Sequence, residues 1–122
     1  MKTRRDFVTN SSSSSFIICK DDIDYYDLRD VLLEIANVEA HFYDEEVYTS
    51  DDIKGDCVAY RYHINEATES DPYEVDDWSG DVINTYTNHY VIDNESCGRY
   101  NWDIIESVLE KYGISWDYGY CD

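Results

Sequence analysis

Basic residues are scarce in this sequence of 122 residues. It holds 9 Lys and Arg against 28 Asp and Glu, for a formal net charge of -19. Only one acid but four of the nine bases lie within the first 20 residues, which leaves 27 acids against five bases in the remainder. Nucleic acids and anionic membranes bind to basic surfaces, so we expect neither as a direct partner. The charge favours a basic protein partner instead, with solubility alone as the alternative.

Long apolar runs, paired cysteines and glycine-rich loops are absent from the sequence as well. No run approaches the roughly 18 apolar residues of a membrane span, and the FVTN segment at 7–10 is too short and polar for a secretion signal. The four cysteines stand far apart without a C-x-x-C pair, so we expect reduced thiols, as in a cytoplasm. Five scattered glycines form no phosphate-binding loop.

Apolar residues are abundant enough to form a core. They make up 43% of the chain, and aromatic residues, including 13 tyrosines, make up 16%. A chain this acidic would otherwise be a candidate for disorder. The composition therefore predicts one compact domain, which we place at 16–122, after a basic and serine-rich leader at 1–15. The leader is expected to be an ordered lead-in to the first strand, a recognition tag or a basic self-contact with the acidic body.

Hydrophobic periodicity predicts an α+β fold. Helical spacing of apolar residues appears in 22–40 and in 101–113, where Asn101 is a suitable N-cap and Gly113 a suitable terminator. Strands are predicted at 16–20, 57–64, 82–93 and 114–122. The order β-α-β-β-α-β is that of an antiparallel sheet with two helices on one face, as in the ferredoxin-like fold. The intervening 65–81 segment is predicted to be a long acidic loop, and such loops are usually functional or disordered.

Two acidic clusters are the candidate partner-binding residues. Carboxylates two apart on a strand or four apart on a helix recur about every 6 Å, which can approximate the closely spaced charges of a DNA strand. The first cluster consists of Asp44, Glu45, Glu46, Asp51, Asp52 and Asp56. The second consists of Glu66, Glu69, Asp71, Glu74, Asp76, Asp77 and Asp81, with Tyr73 and Trp78 interleaved as aromatic anchors.

Residue patterns typical of catalysis or metal binding are not found. The segment 93–104 starts like an EF-hand calcium loop, but Ile104 stands where a bidentate glutamate is required. A zinc site built from the cysteines and histidines remains an alternative that their spacing does not support. His63 and His89 are predicted on two neighbouring strands and are more typical of surface or core histidines than of a metal pair. We therefore expect no enzyme and no cofactor.

The leader and the body each carry a resemblance. DFVTNSSSSSFII, at 6–18, resembles an N-terminal stretch that recurs in small proteins of Firmicutes and of their phages and mobile elements. The acidic, compact body is similar in charge and size to phage-encoded anti-restriction and anti-CRISPR proteins that mimic DNA. This resemblance implies a non-enzymatic inhibitor that occupies the nucleic-acid groove of a host defence nuclease, first a CRISPR effector and then a restriction enzyme. The alternatives are an immunity protein that neutralises a basic nuclease toxin and a small metal-binding or enzymatic domain. The oligomeric state stays open.

Overall fold

Eight strands and two helices make up the described part of the chain. A computed structural model describes residues 14–76, 80–94 and 101–121. Its elements are β1 (Ser14–Cys19), α1 (Tyr25–Phe42), β2 (Ile53–Lys54), β3 (Cys57–Val58), β4 (Tyr62–Ala67), β5 (Tyr73–Asp76), β6 (Val82–Tyr86), β7 (His89–Asn94), α2 (Trp102–Lys111) and β8 (Asp117–Cys121), with a 3-10 turn at Ser50–Asp52. None of the helices in the described ranges is both long and apolar enough to cross a membrane.

Six strands form one antiparallel sheet in the order β2-β3-β4-β7-β1-β8. Strands β1 and β4 run in the same direction with β7 between them, and β8 pairs with the free side of β1. Without the β2–β3 extension, this is the split β-α-β arrangement of the ferredoxin-like fold. The predicted α+β class is confirmed, and so is the final edge strand.

Both helices cover the same face of this sheet. Leu28, Leu32 and Ile35 of α1 are fully buried, as are Ile105 and Leu109 of α2, because their helical spacing turns them toward one side. They pack on alternate residues of the central strands in a single large core. The opposite face of the sheet is covered in part by the β5–β6 hairpin, in a smaller core of Ile17, Ala67, Tyr73, Tyr86 and Val91.

Two predicted single strands are in fact broken by turns. The 57–64 segment folds back at a three-residue loop, 59–61, where Ala59 and Tyr60 have φ of 57° and 55°. The 82–93 segment is interrupted by a bend at 87–88 that separates β6 and β7 into different sheets, and Val82 is exposed in β6 while Ile92 is buried in β7. A period of two continues unchanged across a short break, and neither break contains glycine or proline, although Asn88 is a residue type common in turns.

Half of the described residues in the predicted long loop at 65–81 belong to strands. Strand β4 continues to Ala67, and β5 begins at Tyr73 and pairs with β6, because this segment buries its own apolar residues against the second sheet face. Residues 77–79 lie outside the described residues, as do 1–13 of the leader. The last two residues assigned to the leader, Ser14 and Ser15, belong to β1.

Candidate partner-binding surface

The two helices run antiparallel, so the helical layer has two distinct ends. Asn101 before α2 donates from Nδ2 to the Tyr43 hydroxyl after α1 at 3.3 Å. Lys111 at the end of α2 donates from Nζ to Oε2 of Glu34, which lies midway along α1, at 2.6 Å. The 18 residues of α1 span about 27 Å between these ends.

The first predicted cluster is divided between the two ends. Asp56 lies near the start of α1, where it accepts a hydrogen bond from the Tyr25 hydroxyl. Asp44, Glu45 and Glu46 follow the last residue of α1. Asp51 and Asp52 lie on the same side of the domain as Asp44, Glu45 and Glu46. The Asp52 carbonyl accepts a hydrogen bond from the backbone N–H of Ala59 in the 59–61 loop, and that loop borders the end of α1.

The second predicted cluster is dispersed over the β4–β5 region. Glu66 is paired with Lys20 at 2.6 Å, while Glu69, Asp71 and Asp81 are exposed and Glu74 is half-buried. The backbone of Asp76 ends β5, and Asp77 and Trp78 lie outside the described residues.

Tyr73 does not fit the role of an exposed anchor that the sequence suggested. It is 1% exposed, and its hydroxyl lies 3.3 Å from the hydroxyl of buried Ser15. Its position on the inner side of the β5–β6 hairpin places it in the smaller core, so it stabilises the hairpin and is not accessible to a partner.

An aspartate occupies the left-handed position that ends α1. Asp44 has φ of 58°, its N–H bonds to the His41 carbonyl at 3.2 Å, and the N–H of Glu45 bonds to the Ala40 carbonyl at 2.7 Å. This pair of bonds is a Schellman motif, in which the left-handed residue is usually glycine because a Cβ is disfavoured there. The left-handed conformation of Asp44 therefore lowers the stability of the fold.

Backbone strain converges at this end of the domain. Asp44, Ala59 and Tyr60 are the non-glycine residues with positive φ in the described ranges. The 59–61 loop lies against the end of α1, because Arg61 reaches Glu45 at 3.8 Å. Positive φ in a bulky residue such as Tyr60 is an outlier, and such strain clusters at functional sites.

Exposed apolar side chains accompany these acids. Phe42 is 66% exposed, Val47 61%, Tyr60 59% and Tyr43 47%. The rings of Phe42 and Tyr43 meet edge to face at a centroid distance of 5.0 Å. We call this set the α1 C-terminal surface: Phe42, Tyr43, Asp44, Glu45, Glu46, Val47 and Tyr60.

A buried ion pair supports this surface from below. Glu39 is 2% exposed, and its Oε1 accepts from Arg61 Nη1 at 3.0 Å and from the Tyr62 hydroxyl at 2.7 Å. Burial works against the Arg61 charge, but the hydrogen bond and the charge of Glu39 outweigh it and raise the pKa of Arg61. Two hydrogen bonds between the Asn37 amide and the Tyr48 backbone, at 3.0 and 2.6 Å, tie the following segment to α1.

Electrostatically, the surface concentrates negative charge. The C-terminus of a helix carries a partial negative charge, so adjacent acids are unfavourable there. Within the part of the chain that the structure describes, the carboxylates of Asp44 and Glu46 form no hydrogen bond or ion pair. The arrangement can attract a cationic group, and the neighbouring aromatic rings can pack against its aliphatic or planar parts.

One sequence pattern indicates this surface, and the division of the acids into two clusters did not use it. The segment 42–48, FYDEEVY, places three consecutive acids between two pairs of aromatic and apolar residues, directly after a helical pattern. Its exposure depends on where α1 ends, which the periodicity does not define to the residue.

Comparisons with protein families, with curated proteins and with solved structures find no match to this chain. Among the described residues, no group of three or more His, Cys, Asp or Glu side chains is arranged to hold a metal ion.

Proposed function

We propose that this protein is a non-enzymatic inhibitor that binds the basic nucleic-acid groove of a host defence nuclease, a CRISPR effector first and a restriction enzyme second. The observation that carries the proposal is the coincidence of acidic and exposed aromatic side chains on the α1 C-terminal surface. Charge alone is found all over this molecule and would serve solubility equally well.

Combining both kinds of side chain suits a protein interface better than a solvated surface. Interface energy is concentrated in a few aromatic and arginine anchors, whereas exposed charges contribute mainly to association rate and specificity. On this surface Phe42 and Tyr60 would contact the partner, and Asp44 and Glu46 would accept forked hydrogen bonds from its arginines. The Glu39–Arg61 pair holds the surface in place, so little conformational entropy is lost on binding.

The surplus of acids gives such an inhibitor a kinetic advantage. With 27 acids against five bases beyond residue 20, the whole domain attracts a basic groove over several ångströms of water. Association is then fast at low salt and slows steeply as salt screens the charges.

A competition assay on purified nucleases tests this function. A CRISPR effector and a restriction enzyme are each mixed with a labelled DNA substrate and increasing amounts of this protein, and both DNA binding and cleavage are measured. We expect DNA to be displaced, with an inhibition constant that weakens steeply as salt increases. A nuclease that keeps its DNA at every concentration of the protein contradicts the proposal for that target.

Charge reversal locates the surface. We expect Asp44→Lys, Glu45→Lys and Glu46→Lys together to weaken inhibition at least about a hundredfold, because new positive charges face the basic groove. Equal inhibition by this variant would remove the α1 C-terminal surface from the proposal.

A matched control carries the same charge change elsewhere. Asp103, Glu106 and Glu110 are exposed on α2, and reversing all three alters the net charge identically. We expect this control to reduce the association rate moderately, through the general field alone. Glu69→Lys with Asp71→Lys tests the dispersed second cluster in the same assay.

A further inference from the structure

The sheet aligns four polar residues in one row on the face opposite the helices. Lys54 of β2 lies directly across from Cys57 of β3, which lies across from His63 of β4, which lies across from Asp93 of β7. Their neighbours along the strands, such as Tyr62, point into the helical core, so these four point to the other face.

The spacing within the row brings the side chains into contact range. The Ile64 N–H bonds to the Asp56 carbonyl at 2.9 Å, which frames Cys57 and His63 as a non-hydrogen-bonded pair. In such pairs the Cα atoms are about 4.5 Å apart and the side chains are at their closest. Cys57, His63 and Asp93 are each half-buried, so the row is accessible to small molecules.

Asp93 is held in position by a further residue on the same face. Asn65 donates from Nδ2 to Asp93 Oδ2 at 2.8 Å and to the Val91 carbonyl at 3.2 Å. A thiol, an imidazole and an oriented carboxylate that lie side by side in this order are the parts of an activated nucleophile. Lys54 on the other side of Cys57 adds a positive charge that favours the thiolate.

Cys19 provides the internal contrast. It is also half-buried and also lies across from a histidine, His89. However, burial lowers the pKa of His89 and makes its ring a weaker base, and the nearby acids, Asp117 first, oppose this only in part. The adjacent Lys20 is turned to the helical face, where it pairs with Glu66.

We propose that Cys57 is a nucleophilic thiol that exchanges with small neutral or cationic disulfides, independently of the inhibitor function. His63 accepts the Sγ proton of Cys57, and the resulting thiolate attacks one sulfur of the disulfide. The disulfide bond breaks, its other sulfur leaves as a thiolate, and Cys57 ends in a mixed disulfide. The oxidant is the small disulfide itself. The net charge of -19 repels anionic disulfides.

The test measures the reactivity of each cysteine in the native full-length chain. The protein is treated briefly with a neutral dipyridyl disulfide at neutral pH, the reaction is quenched with acid, and each cysteine is quantified by peptide mass spectrometry. We expect Cys57 to react about tenfold or more faster than Cys19. Equal rates, or a faster Cys19, would overturn the proposal.

Two variants separate this activation from mere exposure. We expect Lys54→Met, an exposed change without risk to the core, and His63→Gln each to slow Cys57 severalfold and to leave Cys19 unchanged. His89→Gln is the matched control and should leave Cys57 unchanged. Cys57 rates that are unaltered in both Lys54→Met and His63→Gln would show that accessibility alone sets them and would overturn the assignment.

Discussion

The two helices end in the same hydrogen-bonding motif but with opposite chemistry. After α2, Gly113 has φ of 69° and bonds to the Glu110 carbonyl at 3.0 Å, and Ile114 bonds to the Leu109 carbonyl at 2.9 Å. After α1, Asp44 takes the place of the glycine. The end of α2 also carries Lys111 in its last turn, which the helix dipole favours.

The comparison distinguishes acids that stabilise the fold from acids that do not. At the start of α1, Asp24 accepts from the Asp27 N–H at 2.8 Å, and both carboxylates lie where the dipole is positive. At the end of the same helix, Asp44, Glu45 and Glu46 lie where it is negative. Net charge alone does not distinguish one surface of this molecule from another, whereas the position of these acids against the helix dipole does, and the proposed binding surface rests on that difference.

The largest effect is expected from removing the ion pair below the α1 C-terminal surface. Glu39→Ala withdraws the buried carboxylate that Arg61 and Tyr62 contact, and it leaves a largely buried guanidinium. We expect the free energy of unfolding in urea to fall by about 3 kcal/mol. Replacing Glu39 and Arg61 together with methionine removes both charges and should recover most of that loss. If Glu39→Ala is as stable as the wild type, the Glu39–Arg61 ion pair does not stabilise this end of the domain.

The next largest effect on stability is expected from placing an aspartate after α2, as the chain has after α1. Gly113→Asp forces a side chain into the left-handed region, at a cost of about 1–2 kcal/mol. Among the described residues, no atom lies within 4 Å of the Cβ that it would add, so the cost is conformational and not steric. Denaturant unfolding measures it, and unchanged stability would refute the argument from backbone strain.

The reverse exchange sharpens the comparison. We expect Asp44→Gly to stabilise the protein by about 1 kcal/mol, through relief of the left-handed backbone and of the unfavourable charge. The same variant should inhibit the proposed target nuclease less well. Asp44→Asn keeps a side chain but removes the charge, so it separates the two causes. A loss of stability in Asp44→Gly would contradict the assignment of strain to this residue.

The smallest effect concerns the ion pair at the end of α2. Hydrogen bonds from Lys111 and then Tyr112 hold the pKa of Glu34 below its ordinary value. A lowered pKa in the folded state stabilises the protein above the ordinary glutamate pKa of about 4.3, and this stabilisation is lost as pH falls through the lowered pKa. Glu34→Gln should therefore destabilise the protein slightly at neutral pH.

Urea midpoints of wild type and Glu34→Gln over a pH series check this prediction. The two curves should converge in acid. A difference that stays constant across the series would mean that Glu34 acts through packing and not through its charge.

Local sequence determined much of the fold. The apolar stripes of both helices, the Asn101 cap, the Gly113 terminator and the charge of the whole domain depend on side-chain chemistry and on near neighbours in the chain, which a sequence displays directly. The α+β class followed from the order of those elements. The buried strand that contains Phe16 could also be predicted, because its apolar run is continuous.

Tertiary structure decided the rest. The breaks at 59–61 and 87–88 contain no glycine or proline, and the strands that follow them bury Tyr62 and Ile92 on the helical face. The burial of Tyr73 depends on which side of its hairpin meets the sheet. The surface after α1 adds Tyr60 to the contiguous segment 42–47, and the row through Cys57 joins residues that are distant in the chain. Strand register and helix termini depend on the packing of the whole domain, so local sequence alone does not determine which of these side chains are exposed or lie side by side.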